Sequence, residues 1–343
     1  MKAPLINLIS DTITQPSIEM LKFMMAAKTG DDVFREDPSV NKLEEILSAT
    51  FGMEAGLFCP SGTMANQIAI KAHTKPLDEM ICEVNSHVYQ FEVGGYAFHS
   101  GIAVTPIISK NGKLDVELIQ SNIRPNFDWF PNTQLVVLEN TGNRAGGNYY
   151  TLEEIKNISL FCKEQNLKLH MDGARIFNAI IESNYTTAEL GAYFDSISIC
   201  LSKGLGAPVG SVLIGSATFI SIARKIRKVM GGGMRQSGLL AAAGIYALEN
   251  NAKRLKEDHI RAKQIEACLQ KCDYVASIKP VYTNIIIFEL KSELPAQKFL
   301  QQLKDQNILA HAFGLHMVRF VTHLDFTEEM LDRLLPVLRN IEV

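Results

Sequence analysis

The stretch from Ser198 to Gly215 reads SICLSKGLGAPVGSVLIG, in which two strand-like runs enclose Ser202, Lys203 and three glycines. An amine attacks a carbonyl only when deprotonated, and a free lysine titrates near about 10.4, so a lysine held at the end of a buried strand is a candidate for an imine with an aldehyde. The same lysine could instead run its ammonium out to water or pair with a carboxylate. Its neighbours in the fold therefore matter more than the residue itself. In open α/β sheets ligands gather at the carboxyl ends of the strands. LVVL ends in Glu139, Asn140 and Thr141, and LKLHM ends in Asp172, Gly173, Ala174 and Arg175. If these strands are parallel neighbours of SISICL, an acid, an arginine and a lysine converge on one edge.

A pyridoxal 5'-phosphate site needs these parts: an amine for the aldehyde, and a carboxylate that keeps the ring nitrogen protonated so that the ring accepts electrons. Lys203 and Asp172 could fill the two places. The phosphate needs N–H groups at a helix N-terminus, and PSGTMANQ offers Ser61, Gly62 and Thr63 opening a helix. His87, in NSHVYQFE, could stack on a flat cofactor. Taken singly, the phosphate motif could be an ordinary capped helix and His87 an ordinary turn residue. The order of the four parts along one chain favours the cofactor.

The elements that must carry these residues alternate. After an arm over residues 1–45, in which Pro16 and Ser17 look like a helix start, VNKLEEILSATFG places Val40, Leu43, Ile46 and Leu47 at helical spacing and stops at Gly52. GLFCPSGTMANQIAIKAH reads as a short strand or turn followed by a helix, and strand candidates follow in EMICEVNSHV, IAVTPII, QLVVLENT, LKLHMDGA, SISICLSK and GSVLIG, with helical stretches such as TLEEIKNISLFCKEQN between several of them. This interleaving predicts an α/β fold with a mostly parallel seven-stranded sheet over residues 46–250. GLGAPVG is too short for a crossover helix, so GSVLIG is expected to be antiparallel. One long helix is expected from about Ser237 to Cys272, leading into a smaller α+β domain over residues 251–343.

Composition narrows the partner. The chain has 343 residues, 47% hydrophobic and 21% charged, with a formal charge of −3. That balance gives no basic footprint for nucleic acid or an anionic membrane, and points to a small molecule. No apolar run approaches the roughly 20 residues that span a bilayer. The six cysteines never form a CxxC pair, and Cys268 and Cys272 have the same-face spacing of two packing residues, so no resident metal is expected. Free thiols and the absence of a signal-peptide pattern point to the cytoplasm.

The motifs SDTIT, GDDVFREDPSVNKLE, LFCPSGTMANQ, SHVYQFEVGG, LENTGNRAGG, HMDGARIFNA, SKGLGAPVGSVLIG and KVMGGGMRQSG resemble, in this order, the low-specificity L-threonine aldolases of the β-eliminating lyase and threonine aldolase group. These are fold-type-I pyridoxal phosphate enzymes. The resemblance implies that Lys203 binds the cofactor's aldehyde, Asp172 partners its ring nitrogen, Ser61, Gly62 and Thr63 hold its phosphate and His87 covers its ring. It implies further that Ser10, Arg175 and Arg319 clamp the carboxylate of an amino-acid substrate, and that Arg235 reaches a phosphate across a subunit boundary in a homotetramer, a dimer of dimers with shared active sites. Three positions depart from the family pattern. Ile9 stands where arginine is usual, Arg35 where glycine is usual, and Gly142 where a histidine commonly approaches the substrate's β-hydroxyl.

The activity so implied is cleavage of L-threonine or L-allo-threonine to glycine and an aldehyde, with His87 or a bound water taking the β-hydroxyl proton. A β-eliminating lyase or an amino-acid racemase on the same fold is the alternative that Gly142 keeps open. A dinucleotide site is disfavoured, because GLGAPVG is one residue too long for the fingerprint and leads into a strand.

Overall fold

The computed structural model describes residues 4–343, so the first three residues of the arm lie outside the described residues. A short strand β1 (Ile6–Asn7) precedes seven strands of one sheet: β2 (Ala55–Cys59), β3 (Asp78–Glu83), β4 (Ala103–Ile107), β5 (Asn132–Glu139), β6 (Lys168–Gly173), β7 (Ser196–Cys200) and β8 (Ser211–Gly215). Their spatial order is β2-β8-β7-β6-β5-β3-β4. The pairs from β4 through β7 are parallel, while β8 runs antiparallel to both β7 and β2. The carboxyl ends of β5, β6 and β7 therefore lie side by side, with Glu139 opposite Asp172 and Asp172 opposite Ser198.

The pleat sorts the residues of these strands. Leu169 and Met171 of β6 and Ile197 and Ile199 of β7 join the main core. The alternate positions, His170, Asp172, Ser196 and Ser198, are polar yet buried. They face the helix Gly62–His73, whose Asn66 accepts from Ser198 Oγ at 2.6 Å and lies 3.2 Å from His170 Nε2. Both faces of these strands are covered, so the polar side chains are buried as well as the apolar ones.

Two expectations need correction. The helix expected from Ser237 to Cys272 is two helices, Gly238–Asn250 and Leu255–Leu269. Asn251 closes the first, and its side-chain amide donates to Leu205 O at 2.7 Å, so the break at this point braces the loop that follows Lys203. The strand EMICEVNSHV stops at Glu83, whose carboxylate accepts from the Asn85 backbone and turns the chain. His87 then opens the short helix His87–Gln90.

Past the second helix lie β9 (Val275–Ile278), β10 (Ile285–Leu290), β11 (Ile308–Leu309), β12 (His311–Ala312) and β13 (Met317–Val321). Strands β12, β13, β10 and β9 make an antiparallel sheet in that order, and β1 of the arm pairs in parallel with β11. Ile6 and Leu8 are accordingly buried in a second core with Phe288, Phe299, Phe320 and Leu334. Among the described residues no helix is long and apolar enough to cross a membrane, and all six cysteines are free thiols.

Arg35 has φ +61° and ψ +30°, the left-handed region that glycine enters freely. Strain of about 1–2 kcal/mol at a side-chain-bearing residue there is offset by roughly 0.5–1 kcal/mol because arginine is less free than glycine in the unfolded chain. Arg35→Gly should therefore shift stability by no more than about 1.5 kcal/mol by this balance, as read from chemical denaturation.

Candidate active site

Lys203 sits on the turn after β7 and lines a cavity of about 290 Å³ with Gly62, Thr63, His87, Asp172 and Ser202. Its carbonyl accepts from Thr14 Oγ1 at 2.8 Å and from the Gly206 amide at 2.8 Å, which ties the arm to the turn. Gly206 (φ +80°) and Gly210 (φ +110°) let the chain reverse into β8, and a Cβ on Gly210 would lie 2.6 Å from the Phe58 ring. These glycines serve the turn, as their position before a strand suggests.

Asp172 ends β6 and is 3% exposed. Its Oδ1 accepts from the Ala174 amide at 3.1 Å, while its Oδ2 has no hydrogen-bond partner among the described residues. A buried carboxylate oxygen left unpaired is costly and calls for a donor from a ligand. At the same cavity the helix Gly62–His73 begins. Ser61 caps it by accepting from the Met64 amide at 3.2 Å, and the first-turn amides of Gly62 and Thr63 have no acceptor within the helix. An amine, an unpaired carboxylate oxygen and an anion-binding helix terminus are the donor set that pyridoxal phosphate requires.

His87 is held from behind. Its Nδ1 lies 2.9 Å from Glu92 Oε1, and its backbone N–H donates to Glu139 Oε2 at 2.6 Å. One ring nitrogen of His87, one oxygen of Glu92 and one of Asp172 lie within 4.8 Å of one another. Burial alone would lower the His87 pKa, but the hydrogen bond to Glu92 and the charges of Asp172 and Glu92 raise it above the usual histidine value. Glu92 also accepts from Asn66 Nδ2 at 2.9 Å and Gln67 Nε2 at 2.6 Å. Burial, followed by the neighbouring His73, pushes His170 down to about 3, so it is neutral. With Asn66 Nδ2 committed to Glu92, Asn66 Oδ1 must accept from His170 Nε2, and His170 Nδ1 then accepts from Ser196 Oγ, 2.8 Å away. Glu92→Gln should lower the titration midpoint of the His87 ring, measured by proton NMR, because it removes a charge and weakens a bond that favour the imidazolium.

The arginines expected at a carboxylate clamp differ in availability. Arg175, 7% exposed, donates from Nε and Nη2 to the two oxygens of Asp11, each at 2.7 Å. It is thus committed to a buried ion pair and stands behind the cavity wall rather than on it. Arg319 donates to Asn143 Oδ1 and to the Ile9 carbonyl, both at 2.8 Å, while its Nε has no partner among the described residues. Burial, then the charge of Arg175, brings Arg319 down to about 10. The contact with position 9 uses the backbone, so isoleucine serves it as well as arginine would. Ser10 Oγ accepts from the Thr12 amide at 3.2 Å and Thr12 Oγ1 at 2.9 Å, which places Thr12 rather than Ser10 on the cavity wall. Arg235 is more than half exposed and pairs with Asp31 at 2.7 Å, away from the cavity of its own chain.

Glu139, noted in the sequence only as a strand end, joins two loops: besides His87 it accepts from the Asn143 amide at 2.7 Å. Burial, then the charge of Asp172, raises its pKa to about 7. Gly142, between these groups, has an ordinary φ of −66°, so its glycine is not a matter of backbone strain. A Cβ there would lie 2.6 Å from Asn148 Oδ1 and 3.0 Å from Ala145 Cβ. The space of a side chain at 142 is taken by Asn148. Glu92, Asp11, Asn66 and Asn148 were not singled out from the sequence; an acid in the otherwise apolar and glycine-rich QFEVGG was the available hint for Glu92.

A mixed, mostly parallel sheet with lysine, acid and helix terminus at one edge is the architecture of the fold-type-I pyridoxal phosphate enzymes. Residues 7–293 match the β-eliminating lyase family, and the chain belongs to it. It is 43% identical over 328 residues to the low specificity L-threonine aldolase of Escherichia coli strain K12, covering 95% of this chain and 96% of that protein. It is 41% identical over 292 residues to the enzyme of the same name from Saccharomyces cerevisiae, covering 83% and 74%. A Leishmania major threonine aldolase structure shares the fold, with a TM-score of 0.86 over 97% of this chain and 98% of that one at 22% identity.

Proposed function

We propose that this protein is a pyridoxal phosphate-dependent aldolase that cleaves L-threonine and L-allo-threonine to glycine and acetaldehyde. The observation that carries the reading is that Lys203, Asp172 with its unpaired Oδ2, and Gly62 and Thr63 at a helix N-terminus line one cavity, in a chain so similar to enzymes of that name. When bound, pyridoxal phosphate supplies the electron sink for the charge left on Cα as the Cα–Cβ bond breaks.

The chain's residues supply the rest. Lys203 Nζ would hold the cofactor's aldehyde, Asp172 its ring nitrogen, and Ser61, Gly62 and Thr63 its phosphate, with Arg235 contributed by a second subunit of a homotetramer. Arg319, which unlike Arg175 makes no ion pair among the described residues, would bind the substrate carboxylate. Arg175 acts by fixing Asp11, and Ser10 by fixing Thr12. Orienting the scissile bond across the ring contributes through positioning. His87 donates Nδ1–H to Glu92, which leaves Nε2 as an acceptor for the β-hydroxyl proton. Activity should accordingly rise with pH as His87 loses its proton, with the rise moved to lower pH in Glu92→Gln.

The division into an arm (1–45), a cofactor-holding domain (46–250) and a small domain (251–343), acting in the cytoplasm, completes the proposal. Two hydrophobic cores support it, one built mainly before residue 250 but taking in Leu255, the other mainly after it but taking in Ile6 and Leu8 of the arm. Holoenzyme given L-allo-threonine should release equal amounts of glycine and acetaldehyde. Release of a 2-oxo acid and ammonia instead, or of neither aldehyde nor glycine, would overturn the assignment in favour of elimination or racemisation.

A further inference from the structure

We infer that Asn66 and Gln67 are positioning residues, which hold Glu92 against the back of His87 and limit how strongly that carboxylate retains the imidazole proton. The inference rests on the aldolase reading, in which His87 takes the β-hydroxyl proton. It adds the residues that set the pH at which His87 can do so.

Glu92 is 3% exposed and lies between the helix His87–Gln90 and the helix Gly95–Ser100. Its two oxygens meet three N–H groups. Oε1 is shared by Asn66 Nδ2 and His87 Nδ1, each at 2.9 Å, and Oε2 takes Gln67 Nε2 at 2.6 Å. A carboxylate offers only acceptors, so both amides must turn their NH₂ ends towards it.

The surroundings of Asn66 agree with that orientation. Its Oδ1 accepts from Ser198 Oγ at 2.6 Å and from His170 Nε2 at 3.2 Å, and all three residues are buried. The opposite orientation would set the amide oxygen against Glu92, acceptor against acceptor. Strands β6 and β7 thus fix Asn66, and Asn66 fixes Glu92. Gln67 is placed by shape instead. A Cβ on Gly95 would lie 2.6 Å from both Cδ and Oε1 of Gln67, so the second glycine of QFEVGG makes the room through which Gln67 reaches Glu92.

Each neutral donor draws on the charge that Glu92 offers to His87. Removing one leaves more of that charge to the imidazolium, which favours the protonated ring. The other charged groups around His87 are Asp172 and Lys203, with Glu139 on its backbone N–H. Gln67 hydrogen-bonds to none of these, so a change at Gln67 reaches His87 through Glu92.

Gln67→Met tests this, because methionine keeps the length of the side chain, removes the Nε2 donor and also removes Oε1, a buried oxygen with no partner among the described residues. Holoenzyme of the parent, Gln67→Met, Asn66→Leu and Glu92→Gln would be compared in kcat/KM for L-allo-threonine across pH. The acid limb of Gln67→Met should move to higher pH by about half a unit or more, roughly a threefold gain in the proton affinity of His87. That direction is opposite to the one expected of Glu92→Gln. Asn66→Leu should move the limb the same way as Gln67→Met but with a larger loss of stability, since it strands His170 Nε2–H and Ser198 Oγ–H. Either variant decides the matter if the other does not fold. An acid limb unmoved by these substitutions, or moved to lower pH as in Glu92→Gln, would overturn the inference. A parent with no acid limb would overturn it together with the role given to His87, and a parent that releases no glycine at any pH would overturn the aldolase reading itself.

Discussion

Lys203→Ala should abolish turnover, with kcat falling by about 10³-fold or more, while the protein remains folded. The two halves of this expectation have separate causes. Lys203 carries the amine that binds the aldehyde, and no other lysine lines that cavity. Its Nζ makes no hydrogen bond or ion pair among the described residues, and what holds the turn is the backbone, through Thr14 Oγ1 and the Gly206 amide on the Lys203 carbonyl. Removing the side chain leaves those bonds in place. The visible absorbance of the purified holoenzyme should be lost or altered together with glycine formation, whereas thermal unfolding should stay close to that of the parent. A variant that kept both its spectrum and its activity would show that the lysine is structural.

Asp11→Ala should have the largest effect on stability, about 3–5 kcal/mol at neutral pH, because it leaves the Arg175 guanidinium buried without its partner. Asp11 is fully buried and also accepts from Asn284 Nδ2 at 3.3 Å, so it joins the arm, the end of β6 and the small sheet. Burial would raise its pKa, but Arg175, by charge and hydrogen bonds, and then Lys203 hold it well below the usual carboxylate range. A carboxylate depressed in the folded state contributes stability that is fully present above its unfolded pKa of about 3.9 and is lost as pH falls through the folded value. The deficit of Asp11→Ala against the parent should therefore be widest near neutrality and narrow in acid below about pH 4. Denaturant midpoints at neutral and acid pH measure this, and a deficit independent of pH would contradict the ionised pairing.

The parts legible in the sequence were those whose chemistry interrupts a local pattern. Lys203, Asp172 and Ser61–Thr63 each stand where an apolar run stops, and the alternation in LKLHMDG and SISIC already separates core positions from the polar face that meets Asn66. The antiparallel turn into β8 followed from loop length alone. What was not legible depends on contacts far apart in the chain. Arg175 looked like a free clamp because Asp11, which occupies it, lies 164 positions away. The break after Asn250 could not be read from helical periodicity, and the side chain of Asn251 at that break bonds the carbonyl of Leu205, on the loop after Lys203. Gly142 looked like the loss of a histidine, and only the packing shows that Asn148 has moved an acceptor into that space.

Borohydride reduction of the purified holoenzyme, followed by peptide mass spectrometry, tests the central claim most directly. The account predicts one pyridoxyl group per chain, fixed on Lys203. A label on a different lysine, or no label on enzyme that cleaves its substrate, would contradict it.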